Sequence, residues 1–265
     1  MNTPTFDNLL LTVENNVATL TFNRPSAANG MTVELCNDLM HAATHCDENP
    51  DIRAVIVTGA GKFFCAGGDL KSMAGFGDTI GAKLKEMTGY LHLAISRFSR
   101  MDAPLIVAVN GMAAGAGMSF AATGDIVLAA EGAAFTMAYT GAGLSPDGSS
   151  TYFLPRLIGT LRTKELMLTN RRLSTQEALE WGLISHIVPA DELMEQATKL
   201  AAQLARGPLK AHGQVKNLLN LSATNSLETQ MEIEGRAIAA QGVGPEGQEG
   251  IAAFREKRKP DFSNT

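Results

Sequence analysis

Cysteine is scarce in this chain of 265 residues, which contains three of them, Cys36, Cys46 and Cys65. They are too few and too widely spaced for the disulfide framework that is typical of small secreted domains. Residues 1–7 have neither a basic start nor an apolar stretch, so the pattern of a secretory signal peptide is also missing. A chain with little cysteine and no such pattern fits a reducing compartment, and we expect a cytoplasmic protein.

An excess of positive charge is also missing. The chain has 22 Lys and Arg against 27 Asp and Glu, a formal net charge of −5, which gives no reason to expect nucleic acid or an anionic membrane as a partner. The longest weakly polar stretch, residues 105–130, is interrupted by Asn110, Asp125 and several glycines. It therefore predicts a buried passage of strand, loop, helix and strand, and not a membrane span.

Several common site motifs are incomplete. Gly115–Gly117 and Gly141–Gly143 lack the third glycine of a dinucleotide fingerprint, and Gly61-Lys62 lacks the rest of a P-loop. His41 and His45 have the spacing of metal ligands on a helix, but the glutamate of a zinc-protease motif is absent. We therefore expect no metal, flavin or nicotinamide cofactor.

Strand and helix patterns alternate through most of the chain, which predicts an α/β fold. Apolar runs predict a hairpin of residues 9–13 and 17–22 and buried strands at 54–58, 105–109 and 126–129. Thr32 is a candidate N-cap for one helix, and Ser174 with Glu177 forms a capping box at the start of another. From Ile80 onward, apolar residues recur every three or four positions, which predicts an amphipathic helix. After Pro189 the patterns are helical only, at 193–206, 208–221 and 227–241. We predict an α/β core over 1–190 and a helical region over 191–265.

Two glycine-rich segments, Phe63–Leu70 and Asn110–Gly117, each follow an apolar run that predicts a strand. Glycine lets a ligand approach the backbone closely. Two such strand ends side by side could direct a pair of backbone N–H groups at one oxygen, which is how an oxyanion hole is built.

These segments belong to an ordered set of motifs that includes Asn23-Arg24-Pro25, Ala66–Leu70, Asn110-Gly111 and Leu173–Ala178 leading to Trp181–Ile184. The set resembles the crotonase (enoyl-CoA hydratase/isomerase) superfamily over nearly the whole chain, from about residue 9 to 262. The resemblance implies a spiral of ββα units with a helical C-terminal region that forms homotrimers or dimers of trimers. It also implies an acyl-CoA thioester substrate, with coenzyme A as part of that substrate.

The resemblance implies particular site residues. The oxyanion donors would be the backbone N–H groups of Gly68 and Ala116, and alanine can serve at the second position if its φ stays negative. Further substrate-binding positions are Arg24, Ala66, Gly67, Asp69, Leu70, Tyr139, Phe254 and Lys257. Of these, Phe254 and Lys257 resemble positions that meet the adenine and phosphates of a ligand in a neighbouring subunit. We expect the helix after Met73 and the C-terminal helices to line the pocket.

The carboxylates decide the reaction. At the two positions where a hydratase of this superfamily has glutamates that activate water, the chain has Ser119 and Tyr139. Neither is a general base near neutral pH, since tyrosine ordinarily titrates near ~10. Asp147 follows Ser145-Pro146, as an acidic residue does in the enoyl-CoA isomerase branch, and one base is sufficient for a 1,3-proton shift. We therefore expect an enoyl-CoA isomerase in which Asp147 carries the proton.

Other interpretations of the same residues stay open. The run Pro146–Ser149 also fits a helix N-terminus, in which Asp147 would be only a cap. Asp147, Tyr139 and His92 resemble the pattern of aroyl-CoA dehalogenases, in which a carboxylate attacks the ring and a histidine activates water. An enoyl-CoA hydratase and a non-catalytic acyl-CoA binder are further alternatives.

Overall fold

A computed structural model describes residues 3–263 and 265. The strands are β1 (Leu9–Glu14), β2 (Val17–Phe22), β3 (Ala54–Gly59), β4 (Phe63–Cys65), β5 (Leu105–Val109), β6 (Met112–Ala114), β7 (Ile126–Ala130), β8 (Ala134–Thr136), β9 (Leu173–Ser174) and β10 (His186–Val188). The helices are α1 (Val33–Glu48), α2 (Leu70–Ala74), α3 (Ile80–Arg100), α4 (Ala116–Ala121), α5 (Ser150–Ile158), α6 (Thr160–Thr169), α7 (Thr175–Trp181), α8 (Leu193–Ala205), α9 (Leu209–Ser222), α10 (Leu227–Val243) and α11 (Pro245–Glu256).

The strands form two sheets, one of six strands in the order β1-β2-β3-β5-β7-β10 and one of four in the order β4-β6-β8-β9. Three successive strand pairs, β3/β4, β5/β6 and β7/β8, each place the first strand in the larger sheet and the second in the smaller one. Within each sheet these strands pair in parallel. The chain therefore advances as a spiral, and the predicted α/β fold of ββα units is confirmed.

The predicted hairpin is β1 and β2, which pair antiparallel from Leu9 opposite Phe22 to Glu14 opposite Val17. Asn15 and Asn16 join them with positive φ angles of 50° and 63°. Two residues with positive φ are typical of the type I′ turn, whose twist matches that of the flanking strands.

Side-chain caps begin two predicted helices where the sequence placed them. Thr32 Oγ1 accepts a hydrogen bond from Leu35 N at the start of α1. At the start of α7, Ser174 and Glu177 satisfy each other's backbone N–H in a capping box. Each such cap contributes about 1 kcal/mol to stability.

The central strands of the larger sheet, β3, β5 and β7, are covered on both faces and are apolar on both sides. On one face, edge-to-face contacts link Phe22 to Phe64 and Phe120, and Phe120 to Phe98, in the core that also includes α1 and α3. On the other face, Ala197 and Ala201 of α8 pack against Ile56 and Ala108. Strands buried on both faces are typical of parallel sheets.

The sequence did not predict the smaller sheet, β10, α2, α6 or α11. The predicted helices at 193–206, 208–221 and 227–241 are confirmed as α8, α9 and α10. The division of the chain at residue 190 stays a prediction. Across residues 3–263 and 265, no helix is both long enough and apolar enough to cross a membrane.

Candidate active site

The two glycine-rich segments lie in direct contact. Because β4 and β6 are parallel neighbours, with Phe63 opposite Met112, the chain leaves both strands at the same edge of the smaller sheet. A Cβ atom built on Gly67, which has a φ of +90°, would lie 2.7 Å from the Ala114 carbonyl oxygen and 3.3 Å from Ala116 N. Residue 67 therefore has to be glycine, since a side chain would force the two segments apart.

The N–H of Gly68 is directed away from its nearest backbone neighbour, Met31. Met31 N donates to Gly67 O at 2.7 Å, and Asp69 N donates to Met31 O at 2.9 Å, which forms a parallel bridge centred on Gly68. In such a bridge the central residue points its own N–H and C=O to the opposite side. Gly68 lines a cavity, and its role as a donor to a ligand there stays a prediction.

Ala116 supplies the second candidate N–H, because it is the first residue of α4 and the first N–H groups of a helix have no acceptor within the helix. Its φ is negative, as an alanine at this position requires. Gly117 holds the start of α4 close to β4, since a Cβ there would lie 2.2 Å from Cys65 O. Gly68 and Ala116 line the same cavity, as the oxyanion-hole prediction requires.

The cavity has a volume of about 280 Å³ and an apolar wall. Helix α2 contributes Leu70 and Met73 to this wall, and α3 contributes Leu84, Met87 and Leu91. Met31, which bridges to Gly68, and Leu144, in the loop before Asp147, complete the apolar part. Among the described residues, none of the lining comes from beyond residue 190, so the expected contribution of the C-terminal helices is wrong for a single chain. The methionines on this wall are flexible and can adapt to the shape of an acyl group.

Asp147 lines this cavity, and its carboxylate contacts a histidine. Asp147 Oδ1 lies 2.6 Å from Nε2 of His92, which projects from α3. The helix that Asp147 could have capped, α5, begins at Ser150 without a side-chain cap. Gly148 and Ser149 have positive φ angles of 62° and 66°, and the chain turns there so that the carboxylate meets α3 and not the start of α5. The interpretation of Asp147 as a helix cap is therefore wrong.

Ser119 and Tyr139 form a hydroxyl pair beside Asp147. The two oxygens lie 3.1 Å apart, Ser119 Oγ lies 3.1 Å from Gly115 O, and Tyr139 Oη lies 3.2 Å from the Asp147 carbonyl oxygen. Burial raises the pKa of the Tyr139 hydroxyl, so it stays protonated at neutral pH. The positions at which the resemblance places the hydratase glutamates therefore hold two neutral groups that bond to each other.

Arg24 and Asp69 pair with each other and do not line the cavity. Arg24 Nη2 lies 3.0 Å from Asp69 Oδ2, and Nη1 donates to the Gly30 carbonyl. Asp69 Oδ1 also accepts from Ser72 N at 3.1 Å and so caps α2. Burial acts to raise the pKa of Asp69, but the hydrogen bonds from Ser72 and Arg24 hold it below its usual value. The pair stabilises the segment that carries Gly68, and a direct contact of either residue with substrate stays a prediction.

Phe254 and Lys257, the two predicted substrate-binding residues near the C-terminus, lie apart from this cavity. Phe254, on α11, is 88% exposed, and Lys257 ends the helix in a left-handed conformation with a φ of 55°. Neither lines the cavity of its own chain. Their predicted role in a neighbouring subunit stays a prediction.

Of the other predicted positions, Ala66, Gly67, Leu70 and Tyr139 line the cavity. The contact between His92 and Asp147, which are 55 residues apart, has no local signal in the sequence, and only the dehalogenase resemblance grouped the two residues. In the part of the chain that the structure describes, no three His, Cys, Asp or Glu residues are grouped so that they could hold a metal ion.

Comparison with known proteins decides the family. Residues 12–265 match the model of the family described as enoyl-CoA hydratase/isomerase. The chain belongs to this family. Among its relatives, the 1,2-epoxyphenylacetyl-CoA isomerase of Escherichia coli K12 is 37% identical over 259 residues, which are 96% of this chain and 98% of that protein.

Other proteins similar to this chain are named for different reactions. A 4-chlorobenzoyl coenzyme A dehalogenase of Arthrobacter sp. is 31% identical over 242 residues, which are 91% of this chain and 88% of that protein. The crystal structure of an enoyl-CoA hydratase from Polaromonas sp. JS666 matches with a TM-score of 0.91 and 33% identity, over 96% of this chain and 98% of that one. The family thus unites isomerases, hydratases and dehalogenases, and the site has to distinguish between them.

Proposed function

We propose that this acyl-CoA enzyme is an enoyl-CoA isomerase, which moves a carbon–carbon double bond relative to a thioester. The observation that carries the proposal is that Asp147 supplies the one carboxylate among the described residues that line the cavity. It shares that cavity with the candidate oxyanion donors Gly68 and Ala116. One base and one oxyanion hole are sufficient for a 1,3-proton shift.

The reaction follows from these groups. The N–H groups of Gly68 and Ala116 would donate to the thioester oxygen and bind it more tightly as it gains charge, typically by ~3–4 kcal/mol per donor. The Asp147 carboxylate would remove a proton from the carbon next to the thioester, which gives a dienolate. The same carboxyl group would then return a proton two carbons further along, so that the double bond moves and no atom is gained or lost. Coenzyme A takes part only as a portion of the substrate.

Hydration is less well supported by the site. Water addition in this family needs carboxylates that hold and activate a water molecule, whereas Ser119 and Tyr139 are neutral and hydrogen-bonded to each other. Asp147 by itself would have to activate the water beside an apolar wall. We therefore expect any hydratase activity to be weak.

A second candidate function is favoured by the contact of 2.6 Å between His92 and Asp147. In a hydrolytic dehalogenation, Asp147 would attack the ring carbon of a haloaroyl-CoA, halide would leave, and water activated by His92 would hydrolyse the resulting ester. Incubation with 4-chlorobenzoyl-CoA and measurement of released chloride separates the two functions. An isomerase releases no chloride, and stoichiometric release would favour the hydrolase.

We also propose that the chain forms a homotrimer or a dimer of trimers. Helix α10 has no buried residue in the single chain, and Leu227, Met231 and Ile238 on it are 69%, 52% and 74% exposed. An exposed apolar patch of this kind marks an interaction surface. Sedimentation equilibrium of the purified protein tests this proposal, and a monomer at micromolar concentration would contradict it.

The variant Asp147→Asn tests the catalytic proposal, because it keeps the size of the side chain and removes the base. We expect isomerase turnover to fall by the ~100–10,000-fold that is typical of losing a general base. The melting temperature should change little, since the carboxylate caps no helix.

Asp47→Asn is a matched control, because Asp47 is 26% exposed against 27% for Asp147 and is also paired, with Arg97 at 3.0 Å. Its turnover should equal that of the wild type. Near-normal turnover of Asp147→Asn would refute the proposal. A wild-type protein that binds acyl-CoA without any turnover would identify a non-catalytic binder.

A further inference from the structure

His92 lies between two cavities. Through Nε2 it contacts Asp147, which lines the apolar cavity of the proposed active site. The histidine itself lines a second cavity of about 380 Å³, whose wall includes Ser96, Ser99 and Asn220. His92 is 52% exposed at its side chain, so water in the second cavity reaches the ring.

The two cavities differ in how they reach Asp147. The first presents mostly methionine, leucine and alanine side chains and glycine backbone, and an acyl group bound there would cover the carboxyl group of Asp147 on that side. The second also has a mostly apolar wall, but the half-exposed ring of His92 is part of it, together with polar side chains such as Ser96 and Asn217. A proton on Asp147 therefore has a route to solvent through the His92 ring.

We propose that His92 relays protons between Asp147 and the water of the second cavity, so that the proton returned to the substrate is exchanged with solvent during turnover. The inference rests on the proposed function of Asp147 as the group that takes the substrate proton. It gives His92 a role that does not include the activation of water for ester hydrolysis.

The relay conserves protons and charge. Asp147 first takes the proton from the carbon next to the thioester, the C–H bond breaks and an O–H bond forms. At 2.6 Å, that proton can pass to Nε2 of a neutral ring whose own proton is on Nδ1, which gives a carboxylate and an imidazolium. The imidazolium exchanges a proton with water and returns one to Asp147, which delivers it to carbon.

The experiment uses exchange with a saturated thioester, which needs no double bond. Butyryl-CoA is incubated with the enzyme in deuterated water, and deuterium at the carbon next to the thioester is followed by mass spectrometry. The wild type should exchange the one hydrogen at that carbon that faces Asp147, because a single base removes and returns the proton on the same face. In His92→Gln the side-chain amide keeps a hydrogen-bonding group beside Asp147 but cannot relay a proton. We expect exchange to slow by at least ~10-fold, which is less than the ~100-fold minimum typical of a lost base because Asp147 itself remains.

A second measurement uses a 3-enoyl-CoA with deuterium next to the thioester, in ordinary water. The wild type should lose most of this label to solvent, whereas His92→Gln should carry more of it to the new position. His41→Gln is the matched control, since it makes the same substitution at an exposed position of α1 that lines neither cavity. Its exchange rate and label transfer should equal those of the wild type. His92→Leu, which removes that hydrogen-bonding group as well, replaces His92→Gln if the latter does not fold.

The outcomes separate this inference from the proposed function. Equal exchange in the wild type and His92→Gln overturns the relay, and so does a wild type that isomerises without any exchange. Exchange that depends on His92 in an enzyme that moves no double bond would support the relay and refute the isomerase.

Discussion

Replacement of Gly117 by alanine tests whether the position of the Ala116 N–H matters. A Cβ on Gly117 would lie 2.2 Å from Cys65 O and 2.8 Å from Cys65 Cβ, whereas ordinary contacts begin at 3.4 Å. The start of α4 would have to move away from β4 by about 1 Å, and a misplacement of that size can reduce turnover ~100-fold. Loss of one oxyanion donor reduces turnover by ~100–1,000-fold, so we expect a reduction in this range.

The same contact predicts a loss of stability. An added methyl group in a close-packed site destabilises a protein by roughly 1–3 kcal/mol. Because part of the variant protein could be unfolded, the rate of 3-enoyl-CoA isomerisation is divided by the concentration of folded protein. Thermal melting gives the folded fraction.

Gly89→Ala is the control, because Gly89 lies within α3 and a Cβ there would meet nothing within 4 Å. Alanine in a helix interior is favoured over glycine by up to ~1 kcal/mol, so this variant should be equally active and slightly more stable. Full turnover of Gly117→Ala would show that the Ala116 N–H is not an oxyanion donor.

Three further results are expected. Because Ser119 and Tyr139 are neutral, the enzyme should hydrate crotonyl-CoA far more slowly than the ~1–1000 s⁻¹ that is typical of enzymes. Hydration at such a rate in an absorbance assay would contradict this interpretation of the site. Deletion of everything after Gly247 removes Phe254 and should weaken both thioester binding in calorimetry and the oligomer in sedimentation, whereas unchanged affinity would show that the tail is no part of a shared site. His212 has a buried Nδ1 that forms no hydrogen bond with any described residue, and burial lowers the pKa of the ring. Its neutral form is therefore favoured in the folded state, and stability should fall as the pH drops below ~6.5, so melting of His212→Gln should depend less on pH between about 7.5 and 5. Equal pH dependence of both proteins would rule out this role.

Five strands of the larger sheet could be predicted because they are mostly apolar runs of five or six residues, whereas β10 contains only three and was not predicted. The smaller sheet could not, since its strands contain only two or three residues. An alternation of period two is not recognisable over so short a length. The spiral that joins the two sheets followed from the resemblance and not from periodicity.

The candidate site could be predicted in part for similar reasons. The glycine-rich segments carry local signals of close backbone approach, but it was the resemblance that assigned Gly68 and Ala116 as the donors. Asp147 fitted both a base and a helix cap, because either role has the same residues around it. The left-handed conformations of Gly148 and Ser149, which decide against the cap, are not predictable from local pattern. The contact with His92 spans 55 residues and depends on the fold alone.

The most direct test of the central claim is nuclear magnetic resonance of the products formed from a 3-enoyl-CoA in deuterated water. The account predicts a 2-enoyl-CoA, with the double bond moved next to the thioester and no hydroxyl group added. A 3-hydroxyacyl-CoA as the main product, or recovery of the 3-enoyl-CoA unchanged, would contradict it.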